Sequence, residues 1–226
     1  MNEKTKSWSA VVLRAVLLAC CIIGMREGFF PPEGGFINLE KMLYFTYQSN
    51  VWVLLLTVIY LVPGILSLAK GTVRIPRALH IARYSVAVAI TITFLVYWLF
   101  LSPAFSAAEN LSVSNQMKHT VVPLLFILDF LTLNKGAPMS KPSTLWALFL
   151  PLYYFVLSMV IPAIWPNHLY EYGGRYPYFF LNLDKYGWFG TGAGIGVFWW
   201  LLILSGVILV IGYTYRFIQC KTARKG

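Results

Sequence analysis

The sequence predicts an all-α membrane protein, a single bundle of six transmembrane helices with both termini cytoplasmic. Three observations carry this. Hydrophobic residues make up 58% of the 226 residues and charged residues 12%, whereas a soluble domain is about half apolar. Mean hydropathy is +0.68. Apolar runs recur that are long enough, or nearly so, to cross the roughly 30 Å of hydrocarbon that about 20 helical residues span.

The first run, Trp8–Met25, lacks a small-residue cleavage site and is followed by charged "MREGFF", so it reads as a retained helix rather than a signal peptide. The second, Leu43–Leu68, opens on the polar "YFTYQSN", and the third is Ala82–Leu101. The fourth, His119–Leu133, has the shortest apolar part and begins within "SVSNQMKH"; the fifth is Ser143–Ile164 and the sixth Thr191–Tyr215. Proline and glycine punctuate the loops "FFPPEGGF", "KGTVRIPR" and "NKGAPMSKP". After the fifth run comes the aromatic segment "WPNHLYEYGGRYPYFFLNLDKYGWFG", which reads either as a membrane-interface belt or as a lid over a site. The glycine string "GTGAGIG" at 190–196 opens the sixth run. A dinucleotide turn needs a strand before it and a soluble βαβ unit around it. Here Gly190 with Gly194, and Gly192 with Gly196, are spaced for close helix packing. No long hydrophilic segment is left for a second domain, so residues 1–226 form one.

Basic residues set the expected orientation. Lys4, Lys6, Lys70, Arg74, Arg77, Arg83, Lys135, Lys141, Arg216, Lys221, Arg224 and Lys225 fall on one side, and Arg26, Lys41, Lys118, Arg175 and Lys185 on the other. The richer side is the cytoplasmic one. The net charge of +10 therefore speaks of topology and anionic headgroups, not nucleic acid. Arg14, the one basic residue inside a span, is expected to snorkel to the cytoplasmic interface. Asp129, the only acid deep in a span, must face the bundle and find a partner or lie near its end. Cys20, Cys21 and Cys220 offer neither an outside pair for a disulfide nor zinc spacing. No metal or other cofactor is implied.

Two polar clusters enter from the outer side. Thr46, Ser49 and Asn50 sit at i, i+3 and i+4 on one helix face, which Thr57 and Tyr60 extend. Asn115, Gln116 and His119 share a face at the start of the fourth span, at similar depth to Thr46. Each cluster has a structural reading: Thr46 bonding back to the Met42 carbonyl, Asn50 bridging to another helix, His119 as a hydrogen-bonded helix start. His80 and His168 lie in loops, which leaves His119 as the one histidine on a helix face near the bilayer boundary. Asp129 lies ten residues beyond it, about 15 Å along the helix.

"YFTYQSN", "NQMKHTVVPLLF" and "RYPYFFLNLDKYGW" resemble the signatures of the androgen-induced FAR-17a-type membrane proteins, a family that includes the androgen-dependent TFPI-regulating protein and has bacterial six-span relatives. The likeness runs through nearly the whole chain in span number and motif order. It implies an integral multi-pass protein of a bacterial plasma membrane. The animal members hydrolyse fatty acid esters of hydroxy fatty acids with an intramembrane threonine nucleophile and a histidine. By position, Thr46 matches the nucleophile and His119 the histidine, followed by Thr120 and Pro123. The "TYQSN" context departs from the animal pattern.

The implied chemistry is sound: a threonine hydroxyl attacks only when a base takes its proton, and a neutral histidine does so at ordinary pH. Asn50 and Asn115, with Ser49 and Gln116 beside them, are the expected substrate or oxyanion contacts. For a third, orienting group the sequence offers only Asp184 and Glu109. The expectation is an intramembrane lipid esterase acting on membrane lipids, with no assignable oligomeric state. A small transporter or lipid-binding protein would use the same polar faces without covalent chemistry. A haem or metal redox protein needs several ligands at bundle depth, where the sequence has one well-placed histidine.

Overall fold

The computed structural model describes residues 3–30, 36–70, 73–133, 139–171 and 173–223. Among them, six helices are long and apolar enough to cross a membrane: α1 Ser7–Gly24, α2 Phe45–Ala69, α3 Arg77–Ala104, α4 Val113–Leu133, α5 Pro142–Ile164 and α6 Val197–Thr222. This is the pattern of an integral, multi-pass membrane bundle. Of the sequence features, the turn at 31–35 and Lys135, Arg224 and Lys225 lie outside the described residues, as do the side chains of Lys4, Lys6 and Lys70.

Helix α3 is the centre. Ala87, Val88, Ala89 and Ile90 follow one another with no exposure at all, so every face of the helix is covered. Its small residues let neighbours approach closely. Helices α1, α2, α4, α5 and α6 all touch it or one another around it, α1 packing most extensively on α2. Their outward faces carry exposed Val12, Leu55, Val62, Leu152, Ile203 and Val210. Such a surface is at home only in lipid.

Several boundaries move from those the apolar runs suggest. Helix α3 begins at Arg77 rather than Ala82, because Pro76 fixes an extended cap (φ −60°, ψ 145°) from which the helix can start. Helix α4 begins at Val113 rather than His119, since the polar residues before the histidine are themselves helical. The glycine string does not open α6. It closes a small hairpin, β1 Gly190–Thr191 against β2 Gly194–Ile195. A Cβ on Gly196 would lie 2.3 Å from the Trp188 carbonyl oxygen and 2.4 Å from the Gly190 nitrogen. Close approach is therefore the reason for this glycine, but within the hairpin and not between helices.

Two helices contain π-type turns ahead of prolines. Tyr97–Leu101 precedes Pro103 in α3, and Met117–Val121 precedes Pro123 in α4. Pro123 has no N–H for the His119 carbonyl and its ring would crowd that oxygen, so the helix widens by one residue just before it.

The charged residues of the bundle are corrected too. Arg14 does not snorkel; it is 4% exposed, donating through Nε to Asp129 Oδ2 at 3.1 Å and through Nη1 to the Tyr60 carbonyl at 3.0 Å. Arg83, counted among the basic residues of the cytoplasmic side, is a buried member of α3, 2.5 Å from the same carboxylate oxygen. Its guanidinium lies 4.6 Å from the Tyr60 ring centroid. A carboxylate in hydrocarbon needs a counter-charge, and Asp129 has two, drawn from α1 and α3.

Candidate active site

The first turn of α2 places Thr46, and the widened turn of α4 places His119. Thr46 Oγ1 and His119 Nε2 are 3.3 Å apart, both residues being buried. The other ring nitrogen, Nδ1, lies 3.2 Å from the backbone carbonyl of Asn115. A carbonyl only accepts, so Nδ1 carries the proton and Nε2 presents its lone pair to the threonine hydroxyl. That is the tautomer a general base requires. The orienting group is therefore a main-chain carbonyl one turn earlier. Asp184 and Glu109 are occupied elsewhere: Asp184 forms a two-pronged pair with Arg175 (2.8 and 2.5 Å), and Glu109 caps its own short helix through Ser106.

The imidazole is also held from its face. Tyr97, at the π turn of α3, stacks on His119 with centroids 3.8 Å apart and planes 10° from parallel. The Tyr97 hydroxyl donates to the Asn110 side-chain oxygen and accepts from the Asn115 amide. Nothing in the sequence separates Tyr97 from the interfacial aromatics around it.

The remaining sequence candidates support the pair from close by. Asn50, fully buried, donates to the carbonyls of Thr46 (2.8 Å) and Lys118 (3.0 Å). One amide thus straps the turn holding the threonine to the turn holding the histidine. The Ser49 hydroxyl lies 3.1 Å from the Thr46 carbonyl and 2.8 Å from Thr93 Oγ1. The Asn115 amide is engaged by Tyr97, and that of Gln116 by the Asn110 carbonyl at 2.7 Å. The Met42 carbonyl is taken by Gln48 and not by Thr46. Lys118, beside the histidine, turns away to Tyr47 (3.3 Å) and toward Glu27.

Thr46 also lines a cleft running between α2, α3, α5 and α6. Its walls are Ile92, Val96, Leu152, Phe155, Leu204 and Ile208 among others. None of the other sequence candidates reaches it. The aromatic segment before α6 contributes to its wall: Tyr178, Phe180 and Leu181 line the cleft, while Lys41–Glu171 (2.9 Å) and the edge-to-face contact of Tyr44 with Tyr170 (5.3 Å) fasten the segment to the residues just before α2.

Compared with known protein families, curated proteins and solved structures, the chain matches none.

Proposed function

We propose that this chain is an intramembrane threonine hydrolase of lipid esters, fatty acid esters of hydroxy fatty acids or related acyl esters, working in a bacterial plasma membrane. One observation carries the reading: a buried threonine hydroxyl 3.3 Å from the unprotonated nitrogen of a histidine whose tautomer is fixed behind it. The apolar cleft against Thr46 supports the substrate class, since an acyl chain can lie in it with its ester at the polar end.

In this reading His119 Nε2 takes the Thr46 proton as Oγ1 bonds to the ester carbonyl carbon and the carbonyl electrons move to oxygen. Collapse of that intermediate expels the alkoxide, which receives the proton from Nε2. Water, deprotonated by the same nitrogen, then releases the fatty acid and restores Thr46. A lipid-binding or transport role would account for the cleft but leaves the threonine–histidine contact without a purpose.

The orientation belongs to the same proposal. With Arg83 removed from the count, eleven basic residues still face five, which puts both termini in the cytoplasm and the site toward the outer leaflet. Cys220 should label with an impermeant thiol reagent only after the inner side is opened; labelling of intact cells would invert the assignment.

The catalytic test uses protein reconstituted in lipid. Thr46→Ala should abolish both acyl-ester hydrolysis and fluorophosphonate labelling, and His119→Ala should lose nearly as much, by about 10³-fold or more. Because the two act as one unit, the double variant should be no worse than either single one. A folded Thr46→Ala protein with full esterase activity ends the catalytic reading and promotes the binding one.

A further inference from the structure

An ester hydrolase must stabilise the negative oxygen of its tetrahedral intermediate, and the amides expected to do so are engaged elsewhere. Asn50 is committed to two carbonyls, and Asn115 to Tyr97. What does share the cleft with the reacting threonine is a phenol from the segment before α6. Tyr178 lines the cleft with Thr46, and its phenol interacts with the Thr46 side chain and with the backbone of Phe45 and Thr46. Those belong to the first turn of a long helix, whose N–H groups have no partner within the helix.

The geometry points to Tyr178 as a catalytic residue, the phenol donor that holds the oxyanion formed when Thr46 attacks an acyl ester; this rests on the proposed hydrolase activity. Two observations support the role. Its ring is wedged, stacked on Phe180 (5.3 Å) and tilted against Tyr154 (6.1 Å) and Tyr44 (6.3 Å), so its hydroxyl is aimed before substrate arrives. Burial raises its pKa above the ordinary tyrosine value, which keeps the O–H protonated and able to donate. The carbonyl of an ester whose chain lies in the cleft would enter between the Tyr178 hydroxyl and the Thr46 oxygen. As the new C–O bond forms, the charge develops within reach of a donor already in place.

The experiment compares wild type, Thr46→Ala and Tyr178→Phe in lipid nanodiscs with a p-nitrophenyl acyl ester, a fluorophosphonate, and a non-hydrolysable acyl ether as a binding probe. Tyr178→Phe should lower kcat by about 100-fold or more, the loss seen when one oxyanion donor is removed. Fluorophosphonate labelling, which also places charge on an oxygen, should slow in parallel, while KM and ether binding stay within about twofold. Replacing Tyr178 by 3-fluorotyrosine keeps ring and hydroxyl and should restore the rate. If kcat is unchanged in Tyr178→Phe, if the loss lies in KM and ether binding alone, or if fluorotyrosine fails to rescue, Tyr178 is only part of the wall and the inference falls. Should Thr46→Ala retain activity, the hydrolase reading falls and takes this one with it; an inactive Thr46→Ala beside a fully active Tyr178→Phe overturns this one alone.

Discussion

At the scale of single residues, Asn50 and Tyr97 test how the threonine and histidine are held. Asn50→Ala removes the amide that bridges the Thr46 and Lys118 carbonyls and unties α2 from α4, so the melting transition should drop by an amount corresponding to about 1–2 kcal/mol. Hydrolysis should slow more than that stability loss explains, because the distance between Thr46 and His119 is what relaxes. Tyr97→Phe keeps the stack on the imidazole and should retain most activity, whereas Tyr97→Leu removes it and should cost about tenfold, read as kcat in reconstituted protein. The two central residues were legible in the sequence because polar groups at the start of apolar helices stand out. Their partners were not. An amide at a helix face can donate to any carbonyl within reach, and which one depends on the register of α2 against α4, which no local pattern encodes. The π turn at Met117–Val121 adds to this, since it rotates everything before it relative to an ideal helix.

At the scale of elements, the ion cluster joining α1, α3 and α4 should dominate stability. Asp129→Ala leaves Arg14 and Arg83 facing each other without a carboxylate, and thermal or denaturant unfolding should register a loss of about 3–5 kcal/mol. Replacing all three by apolar residues of similar size should recover much of it, since a buried ion group is often worth no more than well-packed side chains. Glycines offer a second contrast. Gly196→Ala drives a methyl into the backbone of Trp188 and Gly190 and should destabilise the hairpin, while Gly206→Ala, with nothing within 4 Å, should leave the melting temperature unchanged. Five of the helices were legible from their apolar runs, and the fourth from its apolar half. What the runs missed were the polar and basic ends, 77–81 of α3 and 113–118 of α4, of which the latter is helical with Ser114, Asn115 and Gln116 bonded to tertiary partners.

At the scale of the whole molecule, the cleft makes a prediction about substrate length. Ser205 and Ile208 line it on α6, farther along that helix than Leu201 and Leu204. Ile208→Trp should reduce kcat/KM for long acyl esters by about tenfold or more and spare short ones, as measured across a chain-length series. The cleft itself could not be read from the sequence, because it exists only where four helices and the 178–181 segment leave space between them. The ion cluster has a consequence for how the protein is made. Arg14 lies midway along α1, and its carboxylate partner follows 115 residues later in the chain. An arginine at the middle of a lone helix opposes insertion by about 2.5–3.5 kcal/mol, and at about 5–20 residues per second the wait for Asp129 lasts roughly 6–23 s. During that interval α1 should be poorly anchored, so a chain truncated before α4 should hold α1 across the bilayer less completely than one that includes Asp129, as read by accessibility labelling.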